Sequence, residues 1–155
     1  MADLYLMVGC PGSGKSTFLK NRISKLDDKC KIISRDEIRF SIVQPNEQYF
    51  SHEKEVVQKF WDEINNNLSL GKTVFVDQTS LTKKSRAWLL EHVHGYNHAY
   101  VIWINESLYN CLKRNENRKG TRAYVPQDQI RRMFNRFEEP TKSEGFDYIF
   151  KYKGE

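Results

Sequence analysis

The sequence predicts an α/β fold with a mainly parallel sheet of four to five strands and helices on both faces. Three observations carry this. Short apolar runs alternate with stretches of helical periodicity along all 155 residues. The runs are separated by helices, which implies βαβ crossovers and parallel strands. A glycine-rich segment joins the first run to the first helix. The length suits one domain, 1–155, built on one core.

The elements follow in order. Leu4–Val8 is an apolar run ending at Gly9, a buried-strand signal. From Ser16 to Leu26, Leu19, Ile23 and Leu26 recur at helical spacing. Lys31–Ser34 reads as a second strand and Asp36–Val43 as a short helix cut off by Pro45. The longest helix runs from Ser51 to about Leu68, with Val56, Val57, Phe60, Trp61, Ile64 and Leu68 on one face and Gly71 as its stop. Thr73–Val76 is the third strand, ending at Asp77. Thr82 caps a helix that runs to His94 and stops at Gly95. Ala99–Ile104 is the fourth strand, and Ser107 caps the next helix. Pro126 opens a helix carrying Ile130, Met133, Phe134 and Phe137 on one side, and Tyr148–Phe150 is a weak last strand.

Composition narrows the class. A charged fraction of 29% gives a solvated surface, and the net charge of +5 suits a polyanionic partner or is simply a basic exterior. The three cysteines, Cys10, Cys30 and Cys111, are odd in number and form no CxxC pair, which points to a reducing compartment. The N-terminus lacks the basic and long apolar regions of a signal peptide, and no apolar stretch can cross a bilayer. A cytoplasmic protein without a membrane partner is expected. His92, His94 and His98 straddle a predicted helix end without a carboxylate or Cys partner, and read as surface or packing residues.

In parallel sheets, ligands sit outside the carboxyl ends of the strands. Gly9–Ser16, Ser34–Asp36, Asp77–Thr79 and Asn105–Glu106 should therefore converge on one crevice. Gly9-Cys10-Pro11-Gly12-Ser13-Gly14-Lys15-Ser16-Thr17 satisfies the P-loop pattern G-x-x-x-x-G-K-[ST]. Glycines let backbone N–H groups close around an anion, backed by a helix N-terminus. Lys15 would reach the β/γ-phosphates of a nucleoside triphosphate, Ser16 would ligate Mg²⁺, and Thr17 would add a phosphate contact. An adenylate-kinase-like P-loop fold follows, with ATP or another nucleoside triphosphate and Mg²⁺ as its ligands.

The rest of the crevice points to phosphoryl transfer. A guanine-reading [NT]-K-x-D motif is absent: Thr141-Lys142-Ser143-Glu144 ends in the wrong residue. Asp36 stands where a base could take the proton of an incoming hydroxyl, though it could equally cap the helix it opens. Glu37 should point away. Arg39, one turn on, could grip an acceptor phosphate. Asp77 ends the apolar run Val74-Phe75-Val76 in the Walker B manner, beside Mg²⁺ or the acceptor, with Thr79 close by. Lys113, Arg114, Arg118, Lys119 and Arg122 form a small basic lid over about 113–125. Arg114 and Arg118, at i,i+4, would share a helix face and neutralise charge in the transition state.

These residues resemble the 5′-hydroxyl polynucleotide kinases, in particular the kinase domains of phage and animal end-healing enzymes. The resemblance rests on Gly9–Thr17 and on Ser-Arg-Asp-Glu-Ile-Arg at 34–39. It extends to Val-Asp-Gln-Thr-Ser-Leu at 76–81, Arg-Asn-x-x-Arg-Lys-Gly-Thr-Arg at 114–122, Val125-Pro126 and the segment 137–146. It implies that Asp36 is the general base, that Arg39 holds the phosphate 3′ of the terminal nucleotide, that Asp77 is needed for activity, and that a lid Arg contacts the triphosphate. The chain departs from the pattern at Lys119, which stands where the family has Arg, so Arg118 is the favoured lid residue and Arg122 the second. Ser80 replaces the family's Asn. The reading is thus an ATP-dependent 5′-kinase for DNA or RNA, of the kind used in nucleic-acid repair. A kinase acting on hydroxymethylated bases or small-molecule hydroxyls shares the machinery. A nucleotide-dependent binding module or switch would not need Asp36 and Arg39.

Overall fold

The computed structural model describes residues 2–23 and 28–154, so Leu26 of the first predicted helix lies outside the described residues. In chain order the elements are β1 (Leu4–Val8), α1 (Lys15–Arg22), β2 (Cys30–Ser34), α2 (Arg35–Ile42), α3 (Glu53–Ser69), β3 (Thr73–Asp77), α4 (Lys83–His92), β4 (Ala99–Asn105), α5 (Leu108–Glu116), α6 (Gln127–Arg136) and β5 (Tyr148–Lys153). A short 3₁₀ turn at Lys142–Glu144, which periodicity does not predict, precedes β5.

All five strands are parallel, in the order β2-β3-β1-β4-β5. β1 is central: the chain first builds β2 and β3 on one side of it, then crosses to build β4 and β5 on the other. That reversal opens the crevice beyond the carboxyl end of β1, the place where sheets of this kind bind ligands.

Strand alternation sorts the core into two layers. Leu4, Leu6 and Val8 face the same side as Val74, Val76, Val101 and Trp103, and there they meet Val56, Phe60, Ile64 and Leu68 of α3 and Leu89 of α4. Met7, Phe75, Ile102 and Ile104 face the other side, covered by Phe18 and Leu19 of α1. The α3 stripe brings four side chains to this layer. Each of its four side chains in this layer is worth about 2 kcal/mol of gross burial, and Phe60→Ala would cost about 3–5 kcal/mol.

Helix ends follow local chemistry. Thr82 and Ser85 form a reciprocal capping box at the start of α4, as Thr82 predicts. That helix ends at His92 rather than His94, because Val93 is already extended and buried in the core. His92 lies flat on Trp61 at 3.8 Å, a packing role. Gly71, the predicted stop of α3, sits at φ +79°, which a side chain would strain.

Candidate active site

The P-loop closes at the carboxyl end of β1. Gly9 N–H donates to the Thr79 carbonyl and Ser13 N–H to the Cys10 carbonyl, which folds the loop back on itself. Gly12 and Gly14 have φ of +83° and +104°. A Cβ on Gly12 would stand 2.5 Å from the Cys111 carbonyl oxygen, so α5 itself forbids a side chain there. Lys15 is buried, and its ammonium donates to the Cys10 carbonyl at 3.0 Å. Burial draws its pKa below the ordinary lysine range; Asp77 opposes the shift and Arg118 adds to it. Such an ammonium is desolvated in advance of an anionic partner.

Two further observations fit the loop to a phosphate and a divalent cation. The Ser13 hydroxyl is buried without a hydrogen-bond partner among the described residues. Ser16 Oγ donates to Asp77 Oδ2 at 3.0 Å, so the P-loop serine and the acid ending β3 meet as predicted. A hydroxyl and a carboxylate are the hard oxygen donors that Mg²⁺ takes. Pro11 and Thr17 lie in the same loop and in the first turn of α1, and Thr17 lines the cleft described below.

The second half of the site stands on α2. Its cap is Ser34, whose hydroxyl accepts from Glu37 N–H at 3.2 Å. The capping alternative for Asp36 therefore falls away: Asp36 lies in the first turn with its carboxylate more than half exposed. Glu37 points out to solvent, as expected. Asp36 Oδ1 accepts from Arg39 Nη1 at 2.5 Å and from the Tyr49 hydroxyl at 2.6 Å. Asp36 Oδ2 has no partner among the described residues.

Arg39 is placed differently from its expected role. Its side chain is 4% exposed, and all its nitrogens donate within the protein: Nε and Nη2 to Glu53, Nη1 to Asp36 and Tyr49. Gripping an acceptor phosphate would require it to release one of these. Glu53 also receives Arg35 at 2.6 Å, and Arg35 reaches Gln78 at 3.3 Å, which ties α2 and α3 to the end of β3. Burial raises the Glu53 carboxyl, but its bonds from Arg39 and Arg35 outweigh this and hold it below the usual range. Burial, reinforced by Asp36, pushes the Tyr49 phenol far up, so it stays a proton donor. Tyr49 and Glu53 were invisible as site residues, because they reach Asp36 and Arg39 from a loop and a second helix with no fixed spacing.

The lid corrects one geometric expectation. α5 ends at Glu116, so Arg114 and Arg118 do not share a helix face. Arg114 instead braces the P-loop through its carbonyls. Its Nη1 donates to the carbonyls of Gly12 and Ser13 at 3.3 and 3.0 Å, and Nη2 pairs with Glu106 at 3.1 Å. Arg118 sits in the turn beyond α5, where its N–H donates to the Asn115 carbonyl. It lines a cleft of about 190 Å³ together with Gly12, Gly14, Thr17, Phe18 and Arg114. The favoured lid cation thus does stand beside the P-loop. Arg122 does not line this cleft: it donates to the carbonyls of Phe40 and Val43 at 3.2 and 2.6 Å and lies over the Phe40 ring. It fastens the lid to the end of α2. Asn115 closes the lid loop by binding both backbone groups of Val125.

Beneath the site, Arg86 is fully buried. It donates to the Ser80 and Glu138 carbonyls and pairs with Glu144 at 2.7 Å, holding the loop after Asp77 and Thr79. Ser80 adopts φ +50°, the left-handed region that non-glycine residues other than Asn and Asp adopt uncommonly.

Solved structures share this architecture at low identity. A chain of the Pnkp1/Rnl/Hen1 RNA repair complex superposes with a TM-score of 0.76 at 20% identity, over 87% of this chain and 43% of that one. A gluconokinase from Sinorhizobium meliloti gives 0.61 at 17% identity, over 99% and 82% of the two chains. Kti12 from Chaetomium thermophilum, in complex with ADP-AlF3, gives 0.64 at 19%, over 97% and 88%. This chain thus spans less than half of the RNA-repair chain it resembles, and most of the other two. A family profile described as an AAA domain matches residues 4–140, which take in the P-loop, Asp36, Asp77 and the lid. With its kinase-like five-stranded parallel sheet and nucleotide-binding loop, the chain belongs to this AAA-domain family of P-loop proteins.

Proposed function

We propose that the chain is an ATP-dependent kinase that transfers a phosphoryl group to the 5′-hydroxyl end of DNA or RNA, with 1–155 acting as one kinase domain. One observation carries the reading: Asp36, on an exposed side chain, has one oxygen locked by Arg39 and Tyr49 and the other without a partner among the described residues. A nucleotide switch has no need of such a carboxylate. A kinase needs one to receive the acceptor's proton.

Bound ATP would supply the phosphoryl group, and Mg²⁺ would neutralise its charge. The protein's own contributions are then distinct. The backbone of Gly9–Gly14 and the Ser13 hydroxyl cradle the phosphates, and Lys15 offers a desolvated ammonium. Ser16 and Asp77 present the metal's oxygen donors. Asp36 Oδ2 takes the proton of the attacking hydroxyl, Arg39 and Tyr49 fix its direction, and Arg118 faces the developing charge from the lid. Thr79, whose carbonyl holds Gly9, keeps the acceptor side in register with the loop.

The gluconokinase likeness supports a second reading, in which the acceptor is a small-molecule hydroxyl. The test uses γ-labelled ATP, Mg²⁺ and a 5′-hydroxyl oligonucleotide, followed by digestion to nucleotides. Label on the 5′-terminal nucleotide is expected. Label on an internal base, or on gluconate supplied in parallel, would replace the acceptor. Slow hydrolysis with no transfer would favour a switch. Asp36→Ala is expected to lower transfer about 10³-fold, and full activity in that variant would remove it as the base.

A further inference from the structure

Two large aromatic side chains stand exposed beside Asp36. Tyr49 is 42% exposed and Phe50 62% exposed, in the segment that joins α2 to α3. An exposed aromatic pair costs solubility and does nothing for the core, so its position is informative. Here it is bound to the chemistry. The Tyr49 hydroxyl donates to Asp36 Oδ1, and the Phe50 ring meets the Tyr49 ring edge-on, with centroids 4.6 Å apart and planes at 89°.

Packing does not account for Phe50. The guanidinium of Arg39 lies 4.2 Å from the Tyr49 centroid and 5.5 Å from that of Phe50, so Tyr49 is the ring that covers it. Phe40 supports Tyr49 from the α2 side, again edge-on, at 6.4 Å. Tyr49 is thus fixed by one hydroxyl pair and by rings around it. Phe50 rests against this ring, at the edge of the Arg39 contact, and remains mostly exposed. The result is an exposed apolar surface, backed by a buried cation and tied to Asp36 through the Tyr49 hydroxyl.

We propose that Phe50, seated on Tyr49, is the platform on which a planar ring of the acceptor stacks while its hydroxyl meets Asp36. The acceptor is then of the nucleoside type: an aromatic base and a primary hydroxyl on opposite sides of one sugar. A sugar acid or other polyol carries no ring to fill the platform. Stacking of this kind is indifferent to base identity, because every base offers a π-face. Phe50 acts as a specificity residue for the class of acceptor, and Tyr49 acts through Asp36 as a positioning residue. The inference rests on the 5′-kinase reading above.

The experiment compares two oligonucleotides that both keep a 5′-hydroxyl. One ends in an ordinary nucleoside, the other in an abasic deoxyribose. Wild-type protein should favour the base-bearing end about tenfold in kcat/KM, chiefly through KM. Phe50→Ala should bring the two ends to within about twofold, and Phe50→Trp should restore the preference. Phe50 is exposed, so these variants are expected to fold. Equal use of both ends by the wild type, or an undiminished preference in Phe50→Ala, overturns the platform and leaves the 5′-kinase reading standing. No transfer to either end, with label on gluconate, overturns both.

Discussion

Glu53, in the first turn of α3, holds Arg39 with both carboxylate oxygens, at 2.7 and 3.0 Å from Nη2 and 3.1 Å from Nε. With the Arg35 bond to the same carboxylate, the pair joins α2 to α3, and it leaves Nη1 of Arg39 free to hold Asp36. Glu53→Ala takes the partner from Nε and Nη2 of a cation that is 4% exposed. The expected loss is about 3 kcal/mol of unfolding free energy in urea, together with at least a tenfold loss of phosphoryl transfer. A loss below about 1 kcal/mol would mean that Asp36 and Tyr49 alone satisfy Arg39.

Tyr49→Phe removes the second hydrogen bond to Asp36 Oδ1 and changes nothing in the P-loop. A charge-assisted hydrogen bond of about 1.5–3 kcal/mol corresponds to a drop of roughly 10–150-fold in kcat, with the KM for ATP within about twofold. Steady-state kinetics separates this from a packing effect, which would lower thermal stability instead.

Glu144 makes stability depend on acid. Burial raises its carboxyl, but the bonds from Arg86 and from the Thr141 N–H outweigh burial and hold it below the ordinary carboxylate range. A depressed folded-state pKa contributes stability that is fully present above the unfolded value and is lost as pH falls through the folded one. Unfolding midpoints should therefore be flat near neutrality and fall below about pH 4.5. Glu144→Gln should be less stable at neutral pH, with a shallower fall in acid. An acid limb of equal steepness in both proteins would place the sensitivity elsewhere.

Gly12→Ala tests the cradle. The residue sits at φ +83°, and its new Cβ would lie 2.5 Å from the Cys111 carbonyl oxygen. Backbone cannot give way as a side-chain tip can, so the loop must shift. Backbone strain alone costs about 1–2 kcal/mol. Calorimetry with ADP and Mg²⁺ should show binding weakened at least tenfold; unchanged affinity would show that the loop is not the nucleotide site.

Much of the fold was legible because its signals are local. The apolar runs 4–8, 73–76 and 99–104 became strands within a residue of their predicted ends, since burial on both faces leaves no alternation to misread. The P-loop could be read for the same reason: a strand, a glycine pattern and a helix lie consecutively. The boundary of α5 was missed because Arg114 and Arg118 at i,i+4 look helical whether or not the helix continues. The turn that ends it is set by Asn115 reaching Val125. Glu53, Tyr49 and Arg86 were missed because each acts across the fold. Arg86 and Glu144 are joined by tertiary packing alone, and nothing in either neighbourhood marks them as a pair.

The grip of Arg114 on the Ser13 carbonyl has a consequence for how the loop meets its ligand. A peptide unit is planar and trans, so fixing a carbonyl on one side fixes the next N–H on the other. With the Ser13 oxygen turned back toward α5, the Gly14 N–H is aimed the opposite way. The loop therefore holds part of its shape before any anion arrives, and less chain entropy is lost on association. Arg114 need never touch a nucleotide to govern how tightly one is held.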